Sequence, residues 1–219
     1  MKNMKKIKWG LAGLCVMGLA TIGGTMAYLT DYEAKKNEFV VGKVDIELQE
    51  PLWNPEDNTS IVPSQVIAKD PKIKNLGKND AFVYLEVAIP MATVITADEN
   101  GNRQQAQNLE LFSFSKKDEW DLMEEKIKDG KKIYTYSYSE ILEPGRTTQN
   151  LFDNVVFANI IEGQIDETTL DIPVRAYAIQ TVNTGGGDSL DISVQARTAF
   201  QKYVNQNKGE KGSVMGNAE

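Results

Sequence analysis

The sequence predicts an all-β fold: a two-sheet β-sandwich with a short C-terminal helix, preceded by a cleavable signal helix. Three observations support this class. Apolar residues alternate with a period of two along most of the chain, turn residues separate these runs, and helical spacing dominates only near the C-terminal end.

The first 27 residues have the pattern of an export signal. Four lysines within the first eight residues precede an apolar run from Trp9 to Ile22. Thr25 and Ala27 supply the small residues that signal peptidases need at positions −3 and −1, which predicts cleavage after Ala27 and a mature chain starting at Tyr28. The alternative is an uncleaved membrane anchor, because a helix over residues 10–27 would span about 27 Å, marginal for a bilayer core.

Removing this segment changes the charge and leaves no thiol. Four of the 24 basic residues are lost, so 20 remain against 31 acidic residues and the mature net charge is −11. An acidic chain is unsuited to nucleic acid, which is bound by clustered Lys and Arg, and is suited to solubility outside the cell. The single cysteine, Cys15, lies inside the segment, so stability must come from a packed core rather than from disulfides.

Alternating runs predict seven to nine strands. Val44, Ile46 and Leu48 share one face of the first, and a longer run from Phe82 is expected to end at Pro90.

The second half of the chain adds further strands. Residues 120–141 are predicted to form a hairpin, because an Asp-Gly pair at 129–130 favours a type I′ turn. Two more strands are expected within residues 150–158 and 169–180. Together the regular spacing of these runs favours a sandwich.

Helical spacing predicts a helix between Ser189 and Asn205, with Asp188 or Ser189 as its N-cap. Its apolar face is formed by Ile192, Ala196, Ala199, Phe200, Tyr203 and Val204. We expect this face to cover the sandwich. The resulting organisation is a signal peptide (1–27), a secreted β-sandwich domain (28–205) and a polar disordered tail (206–219).

Three segments carry a resemblance to a known family. Residues 23–31 read GGTMAYLTD, residues 37–46 contain NEF and VGKVDI, and residues 69–84 contain an N-x-G-x-x-x-A pattern that leads into a strand. Together they resemble the TasA/camelysin (CalY) family of proteins exported by Gram-positive bacteria through the signal peptidase SipW. The resemblance implies a jelly-roll-like sandwich, a secreted or cell-surface location and, for its fibre-forming members, assembly in the biofilm matrix.

The residues present limit the chemistry. A zincin needs two histidines and a Ser or Cys hydrolase of the usual kind needs one, so a chain without histidine can build neither. We therefore predict no catalytic residues, no zinc site and no cofactor, although the resemblance implies a metallo-endopeptidase as an alternative. An all-carboxylate calcium site remains open, but the best candidate loop, Asp98–Asn102, lacks the later ligands of an EF-hand and is better explained as a turn.

Three functions remain as hypotheses. The first is a fibre subunit that donates its freed N-terminal segment to a neighbouring copy, with Phe39, Val41, Val44 and Ile46 in the donated segment. Its partners would be further copies of the chain, a SipW-type peptidase during export and, before cleavage only, the membrane. The second is a cell-envelope peptidase of the camelysin type. The third is a monomeric adhesin or binding module.

Overall fold

The computed structural model describes residues 30–33, 44–54, 60–161, 163–165, 169–182 and 191–207. These residues form eleven strands and one helix. The strands are β1 (Thr30–Glu33), β2 (Ile46–Gln49), β3 (Val66–Ala68), β4 (Lys72–Asn75), β5 (Ala81–Val94), β6 (Gln107–Glu110), β7 (Phe112–Ser113), β8 (Trp120–Lys128), β9 (Lys131–Tyr138), β10 (Asn154–Phe157) and β11 (Val174–Gln180), and the helix is α1 (Ile192–Asn207).

The larger layer is an antiparallel sheet in the order β1-β11-β5-β9-β8, with β6 paired to the end of β5. The opposing layer contains β3-β10-β7 and the pair β2-β4. The two layers enclose one core, which confirms the predicted sandwich. Its largest fully buried side chains include Trp120, Phe152 and Ile73, and Trp120 also donates its indole N–H to the Gln149 carbonyl at 3.1 Å.

Alternation within β5 and β11 explains why both faces of the large sheet are covered. Val83 and Leu85 point into the main core, whereas Phe82 and Tyr84 point to the opposite face and pack beneath α1. The Tyr84 hydroxyl donates to the Ala196 carbonyl of the helix at 2.8 Å. The predicted helix and its covering role are therefore confirmed.

The N-cap prediction was wrong. Asp191 caps the helix, because its Oδ1 accepts the backbone N–H of Ser193 at 2.9 Å and of Val194 at 3.4 Å. Asp188 and Ser189 lie outside the described residues. The shift has a simple cause, since an Asp directly before the first helical residue offers the carboxylate that the free N–H groups require.

The predicted hairpin is confirmed and the predicted end of β5 is not. Asp129 and Gly130 both have positive φ, 51° and 72°, as a type I′ turn requires. β5 continues through Pro90 to Val94. Pro90 remains paired with Lys131 of β9, but the next residue, Met91, donates its N–H to the Gly130 carbonyl on that side at 2.8 Å, so the Pro90 nitrogen faces the other side of β5. On that other side, pairing with β11 has ended at Val87 and pairing with β6 begins at Met91, so the missing N–H of Pro90 costs no ladder hydrogen bond.

More strands are present than were predicted, because several are too short to show alternation. β3, β4, β6 and β7 contain two to four residues each. The expected strand at 169–180 begins only at Val174, although Leu170 and Ile172 do pack on the core with it.

A buried asparagine joins the two layers. Asn75 ends β4, and its side-chain N–H groups donate to the carbonyls of Asn79 and Leu142, each at 2.9 Å. Its Oδ1 accepts the Gly77 N–H at 2.9 Å. This explains the N-x-G pattern, which turns the chain from β4 in one layer to β5 in the other.

Residues 206 and 207, predicted to begin the disordered tail, instead form the end of α1. The rest of that tail and the predicted signal segment lie outside the described residues. Within the part of the chain that the structure describes, no helix is both long and apolar enough to cross a bilayer.

Candidate functional site

The edge of the large sheet at β1 is the candidate site. β1 pairs antiparallel with β11, Thr30 opposite Ile179 and Glu33 opposite Ala176. Thr30, where β1 begins, is the third residue after the predicted cleavage site. A strand at a sheet edge presents a free row of main-chain N–H and C=O groups, which makes it the natural place for association with another strand.

β11 is held in the fold independently of β1. Seven of its residues pair with β5, Val174 opposite Val87 through Gln180 opposite Ala81. Arg175 forms an ion pair with Glu86 on β5 at 3.3 Å. Ala176 and Ala178 face the main core, and Ile179 packs on the helix side. β11 therefore offers the same template whether or not β1 occupies its edge.

The predicted site residues divide into two groups. The cleavage residues Thr25, Ala27 and Tyr28, together with Phe39 and Val41 of the predicted donated segment, lie outside the described residues. Val44 and Ile46 are buried in the main core, and Ile46 pairs with Asn75. Withdrawing these two side chains into another copy would open the core of their own domain.

The pairing of Thr30–Glu33 was not anticipated from the sequence. Two of its four residues are acidic and the segment lacks an alternating apolar pattern. Nothing in a single sequence identifies β11 as its partner, because the register is set by a strand far along the chain.

The Asp98 loop forms a closed turn. The Asp98 carboxylate accepts the backbone N–H groups of Asn100 and Asn102 at 2.9 and 2.8 Å, and the side-chain amides of Asn102 and Gln104 at 3.0 and 3.2 Å. These hydrogen bonds, first that of the Asn102 side chain, lower the pKa of Asp98. Gly101 has a φ of +82°. The turn interpretation is confirmed, and no group of three or more His, Cys, Asp or Glu able to hold a metal ion occurs among the described residues.

Two tyrosines and a carboxylate form a polar cluster beside the main core. The Tyr134 hydroxyl donates to both oxygens of Glu110, at 2.7 and 2.9 Å. Burial, and then Glu110, raises the pKa of Tyr134, and the same causes raise the pKa of Tyr136 to about 12. Phe114 packs edge-on against both rings. The Tyr134 hydroxyl therefore stays protonated at neutral pH and bonded to Glu110, and this contact links β9 to β6.

Comparison with known families decides the relationship. The family model described as camelysin metallo-endopeptidase matches residues 2–168. The chain belongs to the camelysin family. The match confirms the family resemblance, starts within the predicted signal segment and ends before β11 and α1. No curated protein and no solved structure matches the chain significantly.

Proposed function

We propose that the mature camelysin-family chain is an exported structural subunit that forms extracellular fibres by exchanging β1 between copies. The observation that carries this is the pairing of Thr30–Glu33 with β11. The segment that cleavage after Ala27 would release is one that this sheet edge accepts as a strand. In the fibre, β1 of one copy occupies the β11 edge of the next.

Exchange leaves the balance of interactions nearly unchanged. A neighbour's β1 makes the same main-chain hydrogen bonds, each worth about 0.5 to 1.5 kcal/mol, that the subunit's own β1 makes. Ten residues, 34–43, connect β1 to Val44, and such a length reaches at most about 33 to 36 Å. In the proposed fibre this connection crosses to the adjacent copy while Val44 and Ile46 stay in their own core.

Head-to-tail exchange produces filaments because the contact is between two different surfaces and does not close. Export supplies the control: before cleavage, the apolar run ending at Ile22 holds the segment at the membrane. A SipW-type peptidase acting after Ala27 would release it at the cell surface. The start of the family match at residue 2 supports the export segment as part of the family pattern.

Electron microscopy and pelleting of the two forms test the proposal. We expect the chain that begins at Tyr28, verified by N-terminal sequencing, to form filaments. The uncleaved Ala27→Arg form in detergent should form none. A mature chain that stays monomeric at high concentration would contradict fibre formation and favour the adhesin. A closed dimer would contradict head-to-tail order.

The family description favours a second candidate, a metallo-endopeptidase. We expect no zinc-dependent peptidase activity, because the chain offers no imidazole and the mature chain offers no thiolate for a three-ligand catalytic zinc. The measurement is casein hydrolysis by recombinant mature protein, with and without chelator. Hydrolysis that chelator abolishes and zinc restores, and that follows the protein through purification, would establish the peptidase instead.

A further inference from the structure

The large sheet has a second edge, at β8. Among the described strands, β8 pairs only with β9 and ends the sheet opposite β1. It is nine residues long, and an uncovered edge of that length is a template for pairing with another chain. Soluble proteins usually protect such an edge, and the protection here comes from α1.

Arg197 of α1 binds the β8 main chain directly. Its Nη1 donates to the Met123 carbonyl at 3.0 Å and its Nη2 donates to the Leu122 carbonyl at 3.1 Å. Two nitrogens of one planar guanidinium thus occupy two successive carbonyls, a fork that lysine cannot reproduce. Ser193, one helical turn earlier, donates from Oγ to Asp121 Oδ2 at 2.6 Å.

The ladder is irregular at the same place. The β8-β9 register shifts between Leu122 and Glu124, so Met123 has no residue opposite it on β9. A bulge bends an edge strand and interrupts the regular row of groups that a new strand needs. The bulge therefore lies at Leu122 and Met123, the same two residues whose carbonyls accept the Arg197 hydrogen bonds.

The remainder of β8 is less protected. Glu124, Glu125, Lys126 and Lys128 carry charges, but Ile127 between the lysines is 65% exposed. Charged side chains discourage edge pairing without occupying main-chain groups. Among the described hydrogen bonds between α1 and β8, those of Arg197 are the ones that use main-chain groups of β8.

We propose that α1 closes the β8 edge to strand addition, with Arg197 taking the carbonyls that a second copy's β8 would otherwise bind. The competing occupant is β8 of another copy, because two identical antiparallel edges pair about a twofold axis. This inference does not depend on β1 exchange, which uses the opposite edge. It assigns α1 the role of blocking strand addition at β8, so that the large sheet is extended only at the β1 edge.

Cross-linking of single cysteines tests the inference, since the mature chain contains no other thiol. Ile127→Cys reports pairing at β8. Val66→Cys, on β3 in the other layer and 61% exposed, is the matched control. Each is combined with Arg197→Ala and with Arg197→Met, which keeps an apolar stem but has no donor, and treated with a short bis-maleimide.

We expect both Arg197 variants to increase dimer cross-linking through residue 127 about tenfold, and to leave cross-linking through residue 66 unchanged. Near-UV circular dichroism confirms the fold in each case. Unchanged cross-linking in folded variants would overturn the inference, as would an equal rise at both cysteines, which indicates general aggregation. Loss of the fold in both variants would also overturn it, by making Arg197 a stability contact.

Discussion

Deleting residues 28–39 should abolish filament formation and leave a folded monomer. The deletion removes β1 and the start of its connection to β2, whereas β11 keeps its pairing with β5 and its two buried alanines. The core therefore stays closed. Sedimentation velocity and electron microscopy of the deleted and mature chains give the measurement, and filaments of unchanged width from the deleted chain would rule out strand exchange at β1.

Proline substitutions provide a control that keeps the chain length. Successive residues of a strand direct their N–H groups to opposite sides, so Asp31→Pro combined with Tyr32→Pro removes one N–H aimed at β11. Lys35→Pro lies after β1 and should have little effect on assembly. If the two variants assemble equally well, main-chain pairing by Thr30–Glu33 is not the contact that joins subunits.

Asn75→Ala should destabilise the domain by about 2 kcal/mol, because the Asn79 carbonyl would lose its described donor. The Leu142 carbonyl and the Gly77 N–H would each keep one partner, the Ala81 N–H and the Asp45 carbonyl, and lose the other. Asn75 is fully buried, so no bulk water replaces these bonds. The measurement is urea unfolding of the mature chain that lacks residues 28–39, which avoids assembly.

Asn108→Ala is the matched control, since Asn108 is exposed on β6. We expect a change within about 0.5 kcal/mol for that variant, typical of surface substitutions. If Asn75→Ala lowers the free energy of unfolding by less than about 1 kcal/mol, the loop around Gly77 rearranges so that its backbone groups find other hydrogen-bond partners.

The sequence predicted correctly those elements whose conformation depends on residues close together in the chain. The Asp129-Gly130 turn follows from the positive φ that both residues adopt, and the helix follows from the spacing of Ala196, Ala199 and Phe200. Pro90 misled the prediction because its effect depends on which neighbours lie beside that position. A sequence read alone does not show that two partners of β5 meet there.

The candidate site was predicted only in outline. A freed N-terminal segment as an added strand came from the cleavage pattern, but the residues chosen for it included Val44 and Ile46, whose apolar alternation marks them as core. Thr30–Glu33 carries no such alternation, and its partner β11 is set by tertiary register. Arg197 was likewise invisible, because nothing in a helix pattern distinguishes a basic residue in solvent from one bonded to a strand edge.

The central position of β5 has a mechanical consequence. It pairs with β11, β9 and β6, so in the proposed fibre tension entering the subunit through an exchanged β1 would pass to β11 and then to β5. A strand pulled along its own axis loads its hydrogen bonds in shear, and they must fail together rather than one after another. With fourteen residues and three partner strands, β5 shares such a load among many more hydrogen bonds than the four-residue β1 makes, so under traction β1 should yield before the domain does.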